Sequence, residues 1–178
     1  MGNVSVDGAG GGAVDSCSSA HADQESMAHH SSTTGGAAAR NMEQRRLDVF
    51  FYGLFMDTDV LEAKGIHPVD VRLAAVPGFR LRIGARAALV PDPSAEVHGV
   101  LMKLSHAEVE KLYADPGVQM YRPEPVLAIA SNGPSVAALC YNLPEPPPAN
   151  EHNREYVGKL RFLAQRIGLP PEYVMSIG

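Results

Sequence analysis

Apolar and polar positions alternate or cluster in short runs from about residue 46 onward. The first apolar run, LDVFFY at residues 47–52, stops at Gly53 and is followed by MDTDVLEAKG, which has helical spacing. This pattern predicts a buried strand that turns sharply into a helix. A helix start leaves backbone N–H groups without intrahelical partners, so we expect a cradle for an anion or carbonyl beyond the strand end. The alternative is a simple turn in which Gly53 only ends the strand.

Short runs rich in Val, Ile, Leu and Ala, bounded by Gly, Pro, Asp or Asn, predict further strands. They cover residues 71–76, 78–83, 87–90, 96–104, 125–130 and 135–141. The sequence Asn132-Gly133 between the last two predicts a hairpin turn. Pro91, Pro93 and Ser94 predict a loop before the strand at 96–104.

Two more helices carry end signals. Ser105 and Glu108 form a capping-box pattern for a helix that we expect to stop near Asp115, ahead of Pro116-Gly117. A second helix is predicted from about Asn150, with Gly168 at its C-terminal end. Its apolar face at helical spacing should pack on the sheet: Tyr156, Leu160, Leu163 and Ile167. The order of elements predicts an α+β domain with a mixed, curved sheet.

Residues 1–45 differ in composition from the rest of the chain. They are rich in Gly, Ala, Ser, Thr and His and contain few large apolar residues, so we expect a disordered tail. The remaining stretch, 46–178, is long enough for a single domain with one core. The tail does not match a signal peptide or a lipid-attachment signal. No stretch of the chain predicts a membrane span.

Charge and motifs exclude several function classes. The formal net charge is −5, and the nearest approach to a basic patch is the group Arg72, Arg80, Arg82 and Arg86. A nucleic-acid surface usually needs more positive charge than this, so we expect no nucleic-acid partner. Two cysteines, Cys17 and Cys140, give no disulfide framework, which favours a reducing, cytoplasmic location. The sequence contains no phosphate-binding loop, no dinucleotide fingerprint and no metal-ligand spacing, so we expect neither a cofactor nor a metal.

Four stretches together resemble the gamma-glutamylcyclotransferase-like family. FFYGLFMDTDVLEAKG is similar to the family's opening strand and YGxxM-type loop, nearest the avirulence-induced-gene-like and gamma-glutamylamine cyclotransferase branch. VHGVLMKLSHAEVEKLY, MYRPEPVLAI and IGLPPEYVMSI are similar to later family segments in the same order. The resemblance implies a small distorted barrel with flanking helices and a pocket at one mouth. It also implies that Tyr52, Gly53, Leu54, Phe55 and Met56 form the substrate loop.

The family reaction, as the resemblance implies it, closes a ring within one substrate. The alpha-amine of a gamma-glutamyl amine or peptide attacks the gamma-carbonyl and releases 5-oxoproline, with no cofactor. Backbone amides must hold the carboxylate and the developing oxyanion, and a carboxylate must move the proton. Arg86 and Tyr121 are candidate ligand contacts, although a solvated arginine and a half-buried strand tyrosine are alternative roles.

The sequence departs from the family pattern at the position of the general base. Pro116 stands where the family has a Glu, in LYADPGVQMYR. Asp115 is the candidate substitute, although it also fits a polar residue that ends a helix. For Glu124 we expect an ion pair with an arginine. Three hypotheses therefore stay open: an active cyclotransferase, a small-molecule-binding domain that has lost the chemistry, and a protein-interaction domain.

Overall fold

The structure is a computed structural model that describes residues 45–131 and 133–178. The tail prediction for residues 1–45 falls, apart from Arg45, outside the described residues, as does Asn132 of the predicted hairpin turn. The described residues form five strands: β1 (Arg46–Phe51), β2 (Val69–Ile83), β3 (Ala87–Ser105), β4 (Arg122–Ala130) and β5 (Ser135–Asn142). The helices are α1 (Thr58–Ala63), α2 (His106–Tyr113), α3 (Arg154–Arg166) and α4 (Pro171–Ser176), and Leu54–Met56 form a 3-10 turn.

The strands close into a barrel in the order β1-β3-β2-β4-β5. β1 and β5 pair in parallel and every other neighbouring pair is antiparallel. The sheet is therefore mixed, and the predicted small distorted barrel with flanking helices is confirmed. The closure also explains the uninterrupted apolar run of β1. Residues 49–51 are all buried, as is typical of a strand that is covered on both faces.

The predicted breaks within β2 and β3 were wrong. Residues 71–76 and 78–83 belong to one strand, with Gly78 at φ +83° beside a register shift. The predicted loop at Pro91, Pro93 and Ser94 lies within β3. The β2–β3 pairing shifts between Pro77 and Phe79, and a bulge of this kind bends a strand without ending it and tolerates residues that lack an N–H.

Gly99 allows the barrel interior to close. A Cβ at this position of β3 would overlap the Phe50 ring and the carbonyl oxygen of Phe51. The two strands therefore approach more closely than any residue with a side chain would permit. Phe50 pairs with Leu101 on one side and Cys140 on the other, and its side chain is buried.

Helix ends follow the predicted signals. In α2 both halves of the Ser105–Glu108 capping box are present. The helix after the proline-rich loop begins at Arg154, four residues later than predicted, because Asn153 supplies the N-terminal cap. It ends where Gly168 takes φ +82° and Leu169 N donates to Ala164 O, as in a Schellman motif. Helix α4 was not predicted. No described helix is long and apolar enough to cross a membrane.

The topology gathers several chain segments at one end of the barrel. β1 and β5 run in parallel and finish there, β4 starts there, and the β2–β3 turn lies there as well. The loop after β1, which carries Gly53, therefore faces the turn that carries Arg86.

Candidate functional site

A cavity of about 450 Å³ opens at this end of the barrel. Its walls come from the loop after β1, the β2–β3 turn, the end of α2 and the following turn, the end of β5, and α3. Eight aromatic residues contribute to the lining: Phe50, Phe51, Tyr52, Phe55, Tyr113, Tyr121, Tyr141 and Tyr156. Arg86 is the one ionisable side chain on the lining, within the described residues, that is charged at neutral pH.

The loop after β1 presents backbone amides near this cavity. Met56 N donates to Gly53 O at 3.0 Å and Asp57 N donates to Leu54 O at 3.3 Å, which closes the 3-10 turn. The amides of Gly53 and Phe55 have no protein acceptor in the described part of the chain. Gly53 itself is extended, with φ −117° and ψ −156°, so its lack of a side chain matters for space rather than for backbone angle.

The hydroxyl group of Tyr156 in α3 occupies the space next to Gly53. A Cβ on Gly53 would lie 2.8 Å from the Tyr156 hydroxyl oxygen. Burial raises the pKa of Tyr156, and the amide of Leu54 partly offsets that rise by pointing at the same oxygen. The tyrosine hydroxyl therefore stands beside the loop amides, where a ligand oxygen would compete with it.

The β2–β3 turn holds Arg86 at the cavity between two fixed points. Ala85 N donates to the Glu151 carboxylate at 2.7 Å, and the Tyr121 hydroxyl donates to Ala87 O at 2.7 Å. Gly84 packs so tightly that a Cβ there would meet Pro147. Arg86 forms no ion pair with the described residues. Its guanidinium is therefore available to an anion that enters the cavity.

A buried polar network closes the floor between β1 and β5. The Tyr52 hydroxyl donates to Tyr141 O at 2.9 Å and lies 3.2 Å from Asn142 Oδ1. Asn142 Nδ2 donates to the Glu124 carboxylate at 2.9 Å. The expected ion pair of Glu124 with an arginine was wrong, because no arginine of the described chain lies within 4.0 Å of it. β4 instead turns this side chain toward Asn142, which lies diagonally across the β4–β5 ladder, since Glu124 itself pairs with Cys140.

A stacked aromatic pair forms one wall. The rings of Tyr113 and Tyr141 lie 3.6 Å apart, centre to centre, with 10° between their planes. Burial raises the pKa of both hydroxyls, as it does for Tyr52 and Tyr121. These phenols are therefore neutral at physiological pH and act as hydrogen-bonding groups rather than charges.

The structure brings most of the predicted site residues to one place. Tyr52, Gly53, Leu54 and Phe55 line the cavity together with Arg86 and Tyr121. Met56 lies outside the lining and is 2% exposed, since its side chain belongs to the core beneath the loop.

Asp115 lies beside the cavity but does not line it. Its carboxylate accepts from Lys64 Nζ at 2.7 Å and from Gly117 N at 2.8 Å. The hydrogen bond with Lys64, followed by the Gly117 amide, lowers the pKa of Asp115. Gly117 and Val118, only two and three residues later, do contribute to the lining.

Sequence reasoning missed Tyr113 and Tyr141 and assigned Tyr156 only to a packing face. Each sits at a spacing that equally fits a core aromatic, so periodicity alone could not mark them. The described chain contains no group of three or more His, Cys, Asp or Glu side chains placed to hold a metal ion.

Comparison with known proteins places residues 49–160 in a match to the family model described as gamma-glutamyl cyclotransferase, AIG2-like. A protein from Arabidopsis thaliana, AIG2-like protein A, is 34% identical over 98 residues. That alignment covers 53% of this chain and 59% of the relative, so the chain spans well under two thirds of that protein's length.

Solved structures share the fold. One, a gamma-glutamyl cyclotransferase, superposes with a TM-score of 0.63 at 21% identity, covering 75% of this chain and 89% of that one. A yeast gamma-glutamyl cyclotransferase specific to glutathione superposes with a TM-score of 0.54 at 14% identity, covering 74% of this chain and 93% of that one. At these identities the likeness concerns the fold alone.

Proposed function

Because the chain belongs to the gamma-glutamyl cyclotransferase, AIG2-like family, we propose that its cavity binds a gamma-glutamyl amine or peptide and cyclises it to 5-oxoproline. One observation supports this proposal most. The amides of Gly53 and Phe55 and the guanidinium of Arg86, none of which has a partner among the described residues, belong to segments that line a single cavity with largely apolar walls.

In the proposed reaction each group has a definite task. Arg86 binds the alpha-carboxylate of the substrate, a pairing that the guanidinium makes well. The loop amides of Gly53 and Phe55 donate to the gamma-carbonyl oxygen as negative charge develops on it. The cavity folds the substrate so that its alpha-nitrogen lies against the gamma-carbonyl carbon, and this proximity supplies most of the rate.

Proton transfer is a further requirement of the reaction. The attacking nitrogen must lose a proton and the leaving nitrogen must gain one. Asp115 is the candidate proton acceptor, but the Lys64 ion pair has to open before its carboxylate can reach the cavity. Arg86 also disfavours a second positive charge in the cavity, and together with the loss of hydration this lowers the pKa of the substrate ammonium. We therefore propose that much of the amine enters in its neutral, nucleophilic form.

A second candidate function is binding without turnover. The cavity lining of the described chain contains no carboxylate, and a cyclotransferase without a proton acceptor would hold its ligand unchanged. Such a domain would serve as a small-molecule binder on the same scaffold. The cytoplasmic location and the absence of nucleic-acid and membrane partners stay predictions, and neither candidate depends on them.

The decisive experiment is to incubate the full chain with gamma-glutamyl amines and measure 5-oxoproline. We expect product from the unaltered protein and about a hundredfold lower kcat/KM for Arg86→Gln, which removes the carboxylate partner. Arg80→Gln is the matched control, because Arg80 belongs to β2 but its nearest acidic partner is Asp92, 3.8 Å away, and it does not line the cavity.

The outcomes separate the candidates. Product that depends on Arg86 and not on Arg80 supports cyclisation. Binding by calorimetry that depends on Arg86, without product, selects the binding function. Equal effects of the two arginine variants would contradict the assignment of this cavity.

A further inference from the structure

The cavity is chemically one-sided. Arg86 brings a single positive charge to the lining, and the lining of the described chain has no negative side chain to balance it. A cationic group on a ligand would therefore lose its hydration without gaining an ion pair. The half of the ligand that lies away from Arg86 should accordingly be uncharged.

The cavity is also larger than a glutamyl group requires. Its volume of about 450 Å³ lies in the range of sites that hold whole drug-sized ligands. The space beyond the glutamyl head is available to the amine that the reaction releases. The walls of that space consequently decide which amine fits.

Those walls are flat and aromatic. Tyr113 and Tyr141 stack at 3.6 Å with their planes nearly parallel, and Phe55 and Leu54 face the same cavity from the loop. Both loop side chains are apolar and partly exposed. A planar apolar group would cover this surface and remove it from water, and aromatic contacts add a further gain.

We propose that this site selects gamma-glutamyl compounds whose amine half is apolar, and aromatic in particular, over compounds whose amine half carries a charge. This inference rests on the proposed function and names its substrate class. The reaction is balanced without any co-reactant. The alpha-nitrogen bonds to the gamma-carbonyl carbon, the bond from that carbon to the departing amine breaks, and one proton passes from the first nitrogen to the second.

Three synthetic substrates test the inference: gamma-glutamylphenethylamine, gamma-glutamylbutylamine and the gamma-glutamyl amide of 1,4-diaminobutane. They share the glutamyl head and differ in an aromatic, an alkyl and a cationic end. We expect the dissociation constant from calorimetry to be lowest for the first and highest for the third, with about a tenfold span or more. The order of kcat/KM for 5-oxoproline release should be the same.

Two variants connect that order to the wall. Tyr113→Leu should lose the advantage of the aromatic over the alkyl compound while keeping the penalty on the cationic one. Val118→Glu places a carboxylate on the lining and should improve binding of the cationic compound about tenfold. Phe162→Leu is the control, since this aromatic side chain of α3 is 69% exposed and lies off the cavity.

The possible results distinguish the selectivity from the cyclisation. Equal dissociation constants for the three compounds, or a Val118→Glu variant that does not improve binding of the cationic compound, would overturn the selectivity while cyclisation could still stand. The expected binding order without any 5-oxoproline would remove cyclisation and leave the selectivity intact.

Discussion

Gly53 and Tyr156 depend on each other although 103 positions separate them along the chain. The absent side chain of one makes room for the hydroxyl of the other. We expect Gly53→Ala to lower the free energy of unfolding by about 1–2 kcal/mol, because its Cβ would lie 2.8 Å from that hydroxyl oxygen. Urea unfolding measures the effect.

The double variant provides the control. Tyr156→Phe removes the crowding oxygen, so adding it to Gly53→Ala should recover part of the lost stability, and the two changes should not be additive. Strict additivity would show that Gly53 is required for another reason.

Pro116 tests the proton-transfer step directly. It is exposed, so replacing it should cost no more than about 1 kcal/mol of stability. If this is the position of the family's general base, Pro116→Glu should raise kcat about tenfold or more, because a placed carboxylate can take the ammonium proton. Gln119→Glu, an exposed change in the same turn, controls for added charge.

Asp115→Asn provides the complementary measurement. A lower kcat supports Asp115 as the present acceptor, and an unchanged kcat removes it from that role. Failure of Pro116→Glu to raise kcat above the Gln119→Glu control would contradict the assigned position.

At the residue scale the sequence predicted the loop after β1 better than it predicted the aromatic walls of the cavity. The break at Gly53 predicted where free amides would lie, since a strand followed at once by a helical turn leaves them exposed. Tyr113 and Tyr141 meet only because α2 packs beside the end of β5. That contact is set by tertiary packing, and no local pattern encodes it.

At the element scale, Glu108 fixes the start of α2 and connects it to the chain ahead of β2. Its carboxylate accepts from Ser105 N and from His67 N, each at 2.8 Å. Burial alone would raise the pKa of Glu108, but these amides, the Ser105 hydroxyl and Arg46 together lower it. The ionised form is therefore the one that the folded state favours.

The preference of the folded state for ionised Glu108 makes stability depend on pH. A depressed pKa adds stability above the pKa of the unfolded chain, and that stability disappears as pH falls through the folded value. We expect Glu108→Gln to lose about 1 kcal/mol at pH 7, with the difference vanishing in acid below the ordinary Glu range. Urea unfolding from pH 7 downward measures it. Glu110→Gln, an exposed change in the same helix, should show no such trend, and a gap that persists in acid would contradict the ionic origin.

Element boundaries followed local chemistry wherever a single residue decides them. The capping box and Gly168 were predicted because a cap needs only nearby atoms. β2 and β3 were divided too finely, because Gly78 and the prolines indicate interruptions that pairing with a long neighbour bridges. The start of α3 was predicted near Asn150, whereas the local cap is Asn153, whose side chain accepts from Tyr156 N.

At the scale of the whole molecule, closure of the barrel brings the amides and the guanidinium together. β1 is the first strand along the described chain and β5 is the last. The two nevertheless pair in parallel at Val49–Leu139 and Phe50–Cys140. That pairing sets Asn142 beside Tyr52 and completes the floor of the cavity. Fold class was therefore predictable from the order of elements, while the shape of the site depends on this closure.

The proton source also determines how the whole reaction responds to pH. If the substrate amine must enter neutral, kcat/KM should rise about tenfold per pH unit until the amine is fully deprotonated. If Asp115 is the acceptor, its lowered pKa keeps it ionised above the ordinary Asp range, so the acid limb should be complete by about pH 5. A stopped assay of 5-oxoproline from pH 4 to 9 separates the two profiles. We expect the rising profile, and we expect Pro116→Glu to flatten it, because a carboxylate at the cavity then removes the proton. A flat wild-type profile above pH 5 that Asp115→Asn abolishes would instead establish Asp115 as the base.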